Sequence, residues 1–437
     1  MISVQNRLQP SSGNKYFSLL LLPLLLLSCG AFKKTQTTPW PEDDVIVTHP
    51  SDDKNEEDKK DVVIKETTPK EENVALTYAM VSFKGEEYRV PVHKKNFKIA
   101  VMLPFHLQGA QSKIDKLRAN IVLEYYQGML LAISKIENLE SKFDVHFYDT
   151  DNDTNTLRKI LRKPELEDVD LIIGPTDDAQ VRIAAYFAKV RKIPLISPIT
   201  TMDYIKSDNP NVFFLNPSDK MKAKKFLTYY LREHKGEKLV LVRDGKSFDK
   251  TFGEALIHLC EAQELPITEV AYSNYIRWAK QIGGGQAVIV HTGQSKSQMS
   301  YSVTGLQSQA GNVTLVVSDR WMNFHNVDYK QLGKLNVTYI STEKSIMPNT
   351  MAQSMYRSYT RKYKGTPSSY TYMGYDQFLF ACESLDAFGK YFPMFLEGKT
   401  ISYANTDFSL TKTPSVFQNN YLMLYRFEDH KIIPIEF

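Results

Sequence analysis

The stretch Leu171–Pro198, LIIGPTDDAQVRIAAYFAKVRKIPLISP, constrains the fold more than any other part of this chain. The run Val169–Ile173, which is apolar except for Asp170, is typical of a strand that is covered on both faces of a parallel sheet. Gly174-Pro175 ends this strand. Asp177 and Asp178 then stand where a helix start favours a side-chain acceptor or a negative charge. The segment therefore predicts a strand that is followed directly by a helix.

The predicted helix leads into a second strand. Apolar residues recur at roughly helical spacing as far as Val190, and the run Ile193–Ile196 predicts the next strand. The result is one β-α-β unit in which the loops 174–178 and 197–201 follow the carboxyl ends of neighbouring strands. Ligands of open α/β sheets collect outside such ends, so we expect a binding site there.

The N-terminus predicts export. Arg7 and Lys15 precede the apolar run Leu19–Leu27, which is too short to span a bilayer as a helix. The run leads into Leu26-Leu27-Ser28-Cys29, which resembles the lipobox of bacterial lipoproteins. This resemblance implies that 1–29 is a lipoprotein signal peptide and that Cys29 carries the lipid. The alternative is a plain secretory signal with an incidental cysteine.

Residues 30–75 predict a disordered, charged tether. Between positions 31 and 75, twelve Asp and Glu residues stand against seven Lys, and the segment holds too little apolar surface to offset the entropy of ordering. In 76–96, alternation around Lys84-Gly85 predicts a β-hairpin. Without the signal (+2) and the tether (−5), the net charge of +4 becomes +7 for the remaining body. The body has no basic block interleaved with aromatics, so nucleic acid is not an expected partner.

From residue 97 onward, apolar strands alternate with helices, which predicts an α/β protein with two doubly wound parallel-sheet lobes. Four motifs occur along this body in order: Tyr126-Gln127-Gly128-Met129, the Gly-Pro to Ser-Pro unit described above, Asn216-Pro217-Ser218-Asp219 and Met373-Gly374-Tyr375-Asp376. Together they resemble the type I periplasmic binding proteins, specifically the receptors for Leu, Ile and Val. The resemblance implies lobe 1 from 97–216 and 342–398, lobe 2 from 217–341 and 399–437, and a multi-strand hinge.

The sequence holds no motif that points to catalysis. Gly-x-Ser-x-Gly, Walker, His-Glu-x-x-His and Cys-x-x-Cys patterns are absent, and the nine His residues show no metal-ligand spacing. Asp149, Asp151 and Asp153 have the spacing of a calcium loop, but Thr154 and Ile160 occupy its sixth and twelfth positions. The other interpretation of this run is a loop that caps the following helix. We therefore expect a protein that is not an enzyme and needs neither a cofactor nor a metal.

The resemblance also implies a ligand site. The carboxylate-binding hydroxyl of the amino acid receptors falls on Asp178, a second ligand hydroxyl on Thr201, and the aromatic residue of lobe 2 on Phe248. The acidic residue that holds the ligand ammonium falls near Asp319-Arg320. Aromatic lining from Phe105, Phe248 and Trp321 is a further expectation, although each could equally belong to a core. The full candidate set is Phe105, Thr176, Asp178, Thr200, Thr201, Phe248, Asp319 and Arg320.

Asp178 departs from the receptor pattern, because a carboxylate facing the carboxylate of an amino acid is a like-charge contact. The ligand is then cationic or polyhydroxylic, or Arg320 neutralises Asp178, or no small ligand is bound.

Two functions follow from these alternatives. The first is a lipid-anchored solute-binding protein, like an ABC-transporter receptor, that closes two lobes on a small polar ligand. The second is an envelope lipoprotein with a degenerate cleft that contacts a protein partner, such as a peptidoglycan synthase. Both place the chain in the cell envelope, facing the periplasm on a lipid anchor, with the outer membrane favoured.

Overall fold

The computed structural model describes residues 76–201, 209, 211–274, 285–309, 311–324, 328–344, 349–413, 416–428 and 431–436. The predictions for 1–29 and 30–75, including lipidation at Cys29, lie outside the described residues. The strands are β1 (Tyr78–Phe83), β2 (Glu86–Pro91), β3 (Asn96–Leu103), β4 (Lys142–Asp149), β5 (Leu171–Ile173), β6 (Leu195–Ser197), β7 (Val212–Phe214), β8 (Lys238–Arg243), β9 (Ile267–Ala271), β10 (Ala287–His291), β11 (Val313–Ser318), β12 (Thr338–Ser341), β13 (Thr400–Ser402), β14 (Asp407–Lys412), β15 (Phe417–Asn419), β16 (Met423–Glu428) and β17 (Lys431–Ile435). The α-helices are α1 (Lys113–Ile136), α2 (Thr154–Leu161), α3 (Asp178–Arg191), α4 (Asp219–Glu233), α5 (Glu254–Glu261), α6 (Lys296–Leu306), α7 (Tyr329–Lys334), α8 (Thr350–Tyr363), α9 (Ser369–Phe388) and α10 (Phe392–Phe395).

Two mainly parallel sheets confirm the predicted α/β class with two lobes. The lobe 1 sheet has the order β13-β14-β15-β7-β6-β5-β3-β4, and the lobe 2 sheet has the order β17-β16-β12-β11-β10-β8-β9. In each sheet the parallel strands form a continuous block, and antiparallel strands are added at one edge. The β5-α3-β6 unit forms as the central stretch of sequence predicted, and β5 pairs with β6 in parallel.

Helices cover both faces of each sheet, which explains why the central strands are apolar throughout. In β3, Ile99 and Val101 face one core of lobe 1, whereas Ala100 and Met102 face the other. The same alternation between two cores occurs in lobe 2. None of the helices in the described part of the chain combines the length and the apolarity of a membrane span.

The end of the chain differs from the sequence-based division, which placed 399–437 in lobe 2. Strands β13, β14 and β15 belong to the lobe 1 sheet, and only β16 and β17 join lobe 2. The physical reason is the parallel pairing of β15 with β7, where Phe417 stacks on Phe213 with ring centroids 4.6 Å apart. The chain therefore crosses to lobe 2 after Asn419 rather than at 399.

A β-hairpin precedes lobe 1 and packs on it. β1 and β2 pair antiparallel around Lys84 and Gly85, both of which have positive φ, as a tight hairpin turn requires. Phe83 is buried in the lobe 1 core, with its ring centroid 4.9 Å from that of Phe388 at the end of α9. The Lys84 ammonium lies 2.6 Å from the Glu383 carboxylate. The hairpin therefore covers the C-terminal end of α9.

The aspartates after β4 support loop structure. Asp153 caps α2 by accepting a hydrogen bond from the Thr156 backbone N–H at 2.8 Å. Asp149 accepts from the backbone N–H groups of His106 and Leu107. This is the capping role that the sequence left open beside a calcium loop. Over the described ranges, no group of three or more His, Cys, Asp or Glu residues is placed to hold a metal ion.

Candidate functional site

Asp177 and Asp178 lie at the carboxyl end of β5, as predicted. Asp177 caps α3 by accepting from the Ala179 N–H at 3.0 Å, and Asp178 is the first residue of the helix. Burial raises the pKa of Asp178, and Asp177 adds to this rise, whereas Arg182 lowers the pKa. Arg182, one turn along the same helix, is thus a cation that acts on Asp178 and that the sequence analysis did not consider.

The loop after β6 is held by side chains from the hinge. The Asn216 amide donates to Ile199 O at 2.7 Å, and the Gln377 amide donates to Pro198 O at 3.0 Å. Within the loop, the hydroxyls of Ser197 and Thr200 are hydrogen bonded to each other. Thr200 is therefore buried and internally paired, while Thr201 and Thr176 are half-buried at the same sheet edge.

Of the three aromatic residues expected to line the cleft, Trp321 belongs to a core, whereas Phe105 and Phe248 are half-buried and pack against one. Trp321 is fully buried in lobe 2, and its indole N–H donates to Gly293 O at 2.8 Å. Phe105 packs edge-to-face on Tyr126 of α1, with ring centroids 5.5 Å apart, on the lobe 1 core. Phe248 stacks on Phe252 and lines a cavity at the carboxyl edge of the lobe 2 sheet.

That cavity brings the candidate Asp319 together with residues that the sequence analysis did not assign to the site. Lys222, Phe248, His291 and Asp319 all line it, and its volume is about 10 Å³, the space of one water molecule. His291 is buried, accepts from the Gly293 N–H at 2.9 Å, and has its pKa lowered to about 4 by burial, so it is neutral.

Lys222 was missed as a site residue. Its ammonium lies 3.2 Å from the Asp219 carboxylate and 5.9 Å from the centroid of the Phe248 ring. Burial would lower the pKa of Lys222, but the carboxylates of Asp219 and Asp319 together raise it, so the amine is charged. The sequence spacing could have identified it, because Lys222 follows Asp219 by about one turn of the helix that begins after the Asn216–Asp219 motif.

The hinge forms a second polar cavity, of about 30 Å³, next to α9. Glu343 and Asp376 line it together with polar side chains from the crossovers. Burial raises the pKa of Glu343 to about 7, and Asp319 of lobe 2 adds to this rise. Burial also raises the pKa of Tyr370 in the first turn of α9, where the charge of Arg320 opposes the rise. Charges from both lobes and the hinge therefore act on one another across this region.

A family model describes most of this body. The model for "Periplasmic binding protein" matches residues 124–392, which is more than half of the chain. The chain belongs to the periplasmic binding protein family. The matched range starts within α1 and includes every candidate site residue except Phe105.

Solved structures show the same fold at low sequence identity. A leucine complex of an ABC transporter substrate-binding protein from Desulfitobacterium hafniense has 16% identity and a TM-score of 0.55, with 78% of this chain and 100% of that chain covered. A branched-chain amino acid ABC transporter ligand-binding protein from Burkholderia xenovorans has 12% identity and a TM-score of 0.59, over 78% and 94% of the two chains. The C-domain of LpoA from Haemophilus influenzae, a regulator of PBP1A, has 12% identity and a TM-score of 0.57, over 78% and 100%. No curated protein matches the sequence.

Proposed function

We propose that this chain is a non-enzymatic binding protein of the cell envelope whose two lobes close on a small cationic ligand. The observation that carries this proposal is the charge of the cleft edges. Carboxylates stand at both facing edges and at the hinge: Asp178 in lobe 1, Asp319 in lobe 2 and Glu343 between them. The neighbouring cations are Arg182 beside Asp178 and Lys222 beside Asp319. A ligand ammonium group would pair with these carboxylates, whereas a ligand carboxylate would meet like charge.

The ligand class is tested through Asp178. Asp178→Asn keeps the shape of the side chain and removes its charge, so it is expected to weaken binding of a cationic ligand by about 1–3 kcal/mol, the contribution of one charged hydrogen bond. Titration calorimetry of both proteins against a panel of amino acids, polyamines and sugars measures this difference. Asp168→Asn is the matched control, because Asp168 is exposed and precedes β5 at the opposite end of the sheet. If the wild type binds nothing in the panel, the receptor proposal is wrong.

A second candidate function is an interaction protein of the envelope, and the size of the cavities favours it. The two cavities described above hold about one and two water molecules, so neither admits an amino acid without rearrangement. Similarity to the LpoA C-domain supports only the fold, since one fold serves many functions. A wild type that binds no small molecule but cross-links to a peptidoglycan synthase in cells would select this function.

We further propose that either function is performed on a lipid anchor at Cys29. Cys29→Ser removes the only thiol of the lipobox, and the polar, charged segment 30–75 has no apolar stripe that would hold the protein on a bilayer. The variant is therefore expected to move from the membrane fraction to the soluble fraction on cell fractionation. Cys260→Ser, at a buried thiol, is the control and should remain in the membrane fraction. A Cys29→Ser protein that stays fully membrane-bound would contradict the anchor.

A further inference from the structure

Lys222 differs from the other lysines at the start of α4. Lys220 and Lys224 are exposed to solvent, whereas the side chain of Lys222 is only 21% exposed. Burying a lysine is costly unless its charge is paired. The enclosure of Lys222 therefore depends on groups that pair with its charge.

Two carboxylates and one aromatic ring lie around the Lys222 amine. Asp219 is 3.2 Å from the Lys222 Nζ, and its other carboxylate oxygen accepts from the Thr251 hydroxyl at 2.6 Å. The Phe248 ring offers an aromatic face at 5.9 Å, close to the limit for a cation–π contact. Asp319 lines the same cavity and supplies a second negative charge.

We propose that Lys222 is an internal occupant of an ammonium subsite formed by Asp219, Asp319 and Phe248, and that a primary-amine ligand enters this subsite only when Lys222 leaves it. The statement about ligands rests on the proposed function. The occupancy by Lys222 does not, because it follows from the contacts of α4 and the lobe 2 sheet edge alone.

The volume of the cavity makes the two occupants exclusive. With Lys222 in place, the remaining space of about 10 Å³ admits one water molecule and no alkylamine. Lys222→Ala removes a propylammonium group while leaving both carboxylates and the aromatic ring. The variant therefore creates a vacancy that n-propylammonium matches in charge, length and shape.

The test is thermal unfolding of the variant in n-propylammonium chloride, against sodium chloride at the same ionic strength and n-propanol at the same concentration. Ligand that binds only the folded state raises the melting temperature, so a saturable rise of about 2–4 °C is expected for Lys222→Ala. Lys224→Ala removes the same group from an exposed site on the same helix and should show no saturable rise. Equal responses of Lys222→Ala, Lys224→Ala and wild type, or no response in any of them, would overturn the proposal.

A second measurement needs no variant and so does not depend on the folding of Lys222→Ala. Reductive methylation of the wild-type protein, followed by mass spectrometry of peptides, compares the amine of Lys222 with those of Lys220 and Lys224. Methylation of Lys222 is expected to be several-fold slower, and equal rates at the three positions would contradict its enclosure.

Failure of this inference can be separated from failure of the proposed function. If the wild type binds a cationic ligand while the methylation rate of Lys222 stays unchanged, the receptor stands and displacement of Lys222 is wrong. If the wild type binds no ligand but n-propylammonium binds to Lys222→Ala, the subsite and its internal occupant are supported and the receptor proposal is wrong.

Discussion

Gly374→Ala is expected to lower the free energy of unfolding by about 3 kcal/mol or more, because it forces α1 and α9 apart. A Cβ atom at Gly374 would stand 2.0 Å from Tyr125 O, and one at Gly128 would stand 1.9 Å from Thr371 O. Both obstacles are backbone atoms of the facing helix, so no side-chain rotation relieves them. Chemical denaturation of the wild type and the variant measures the loss.

The chain provides a control for this experiment. Gly365 has open space around the position of a Cβ, so Gly365→Ala should change stability by no more than about 0.5 kcal/mol. The double variant Gly128→Ala/Gly374→Ala should lose less than the sum of the single losses, since helices already separated by one methyl group accommodate the second at lower cost. Additive small losses would mean that the helix crossing is looser than these distances indicate.

Asp376→Ala is expected to be comparably destabilising, with a loss of about 3 kcal/mol or more. The fully buried Asp376 carboxylate accepts from the backbone N–H groups of Ala404, Asn405 and Thr406 at 2.8–3.0 Å. Removing it leaves three donors without their acceptor in the turn between β13 and β14. Asp386→Ala, on the same helix, removes an acceptor for the Ser141 N–H and should cost about 1 kcal/mol.

The destabilisation caused by Asp376→Ala should also affect the hinge. The turn that it holds contacts the crossover from lobe 2 to lobe 1, where the Thr406 hydroxyl donates to Thr342 O at 2.8 Å and the Lys344 N–H donates to Asn405 O at 2.6 Å. We therefore expect faster amide hydrogen exchange at 342–344 in Asp376→Ala than in the wild type. Unchanged exchange there would show that the crossover does not depend on this carboxylate.

The contribution of Asp376 to the free energy of unfolding should depend on pH. Burial raises the pKa of Asp376 from 3.8 to about 7, against the three N–H donors and Lys344, which lower it. Because the folded-state pKa lies above the unfolded one, the contribution of this group is fully present below about pH 3.8 and is lost as the pH rises through about 7. Asp376→Asn, which stays neutral, should remove this part of the pH dependence. If the free energy of unfolding of Asp376→Asn changes with pH as steeply as that of the wild type, other groups cause the pH dependence.

Much of the site framework was predictable because it depends on local order along the chain. The start of α3, the adjacency of β5 and β6 and the hairpin turn at Lys84-Gly85 each follow from a few consecutive residues. The neighbours of the candidate site residues were not predicted. The neighbour of Asp178 is Arg182 on its own helix, and the occupant of the lobe 2 cavity is Lys222. Each of these cations stands one helical turn from an aspartate, so helical spacing could have suggested both pairs. The enclosure of Lys222 depends instead on how α4 packs against the edge of the lobe 2 sheet.

The two family motifs around Gly128 and Gly374 show which features the sequence predicts and which only the tertiary structure reveals. Their residue types identify the family, and their helical periodicity predicts α1 and α9. Only the folded chain shows that the two glycines meet, since the backbone contacts between them join residues about 250 positions apart in the sequence. The route of 399–419 into lobe 1 and the enclosure of Lys222 are of the same kind. Short-range propensity determines helices and strands, whereas strand partners and buried charge pairs depend on which surfaces the whole chain brings together.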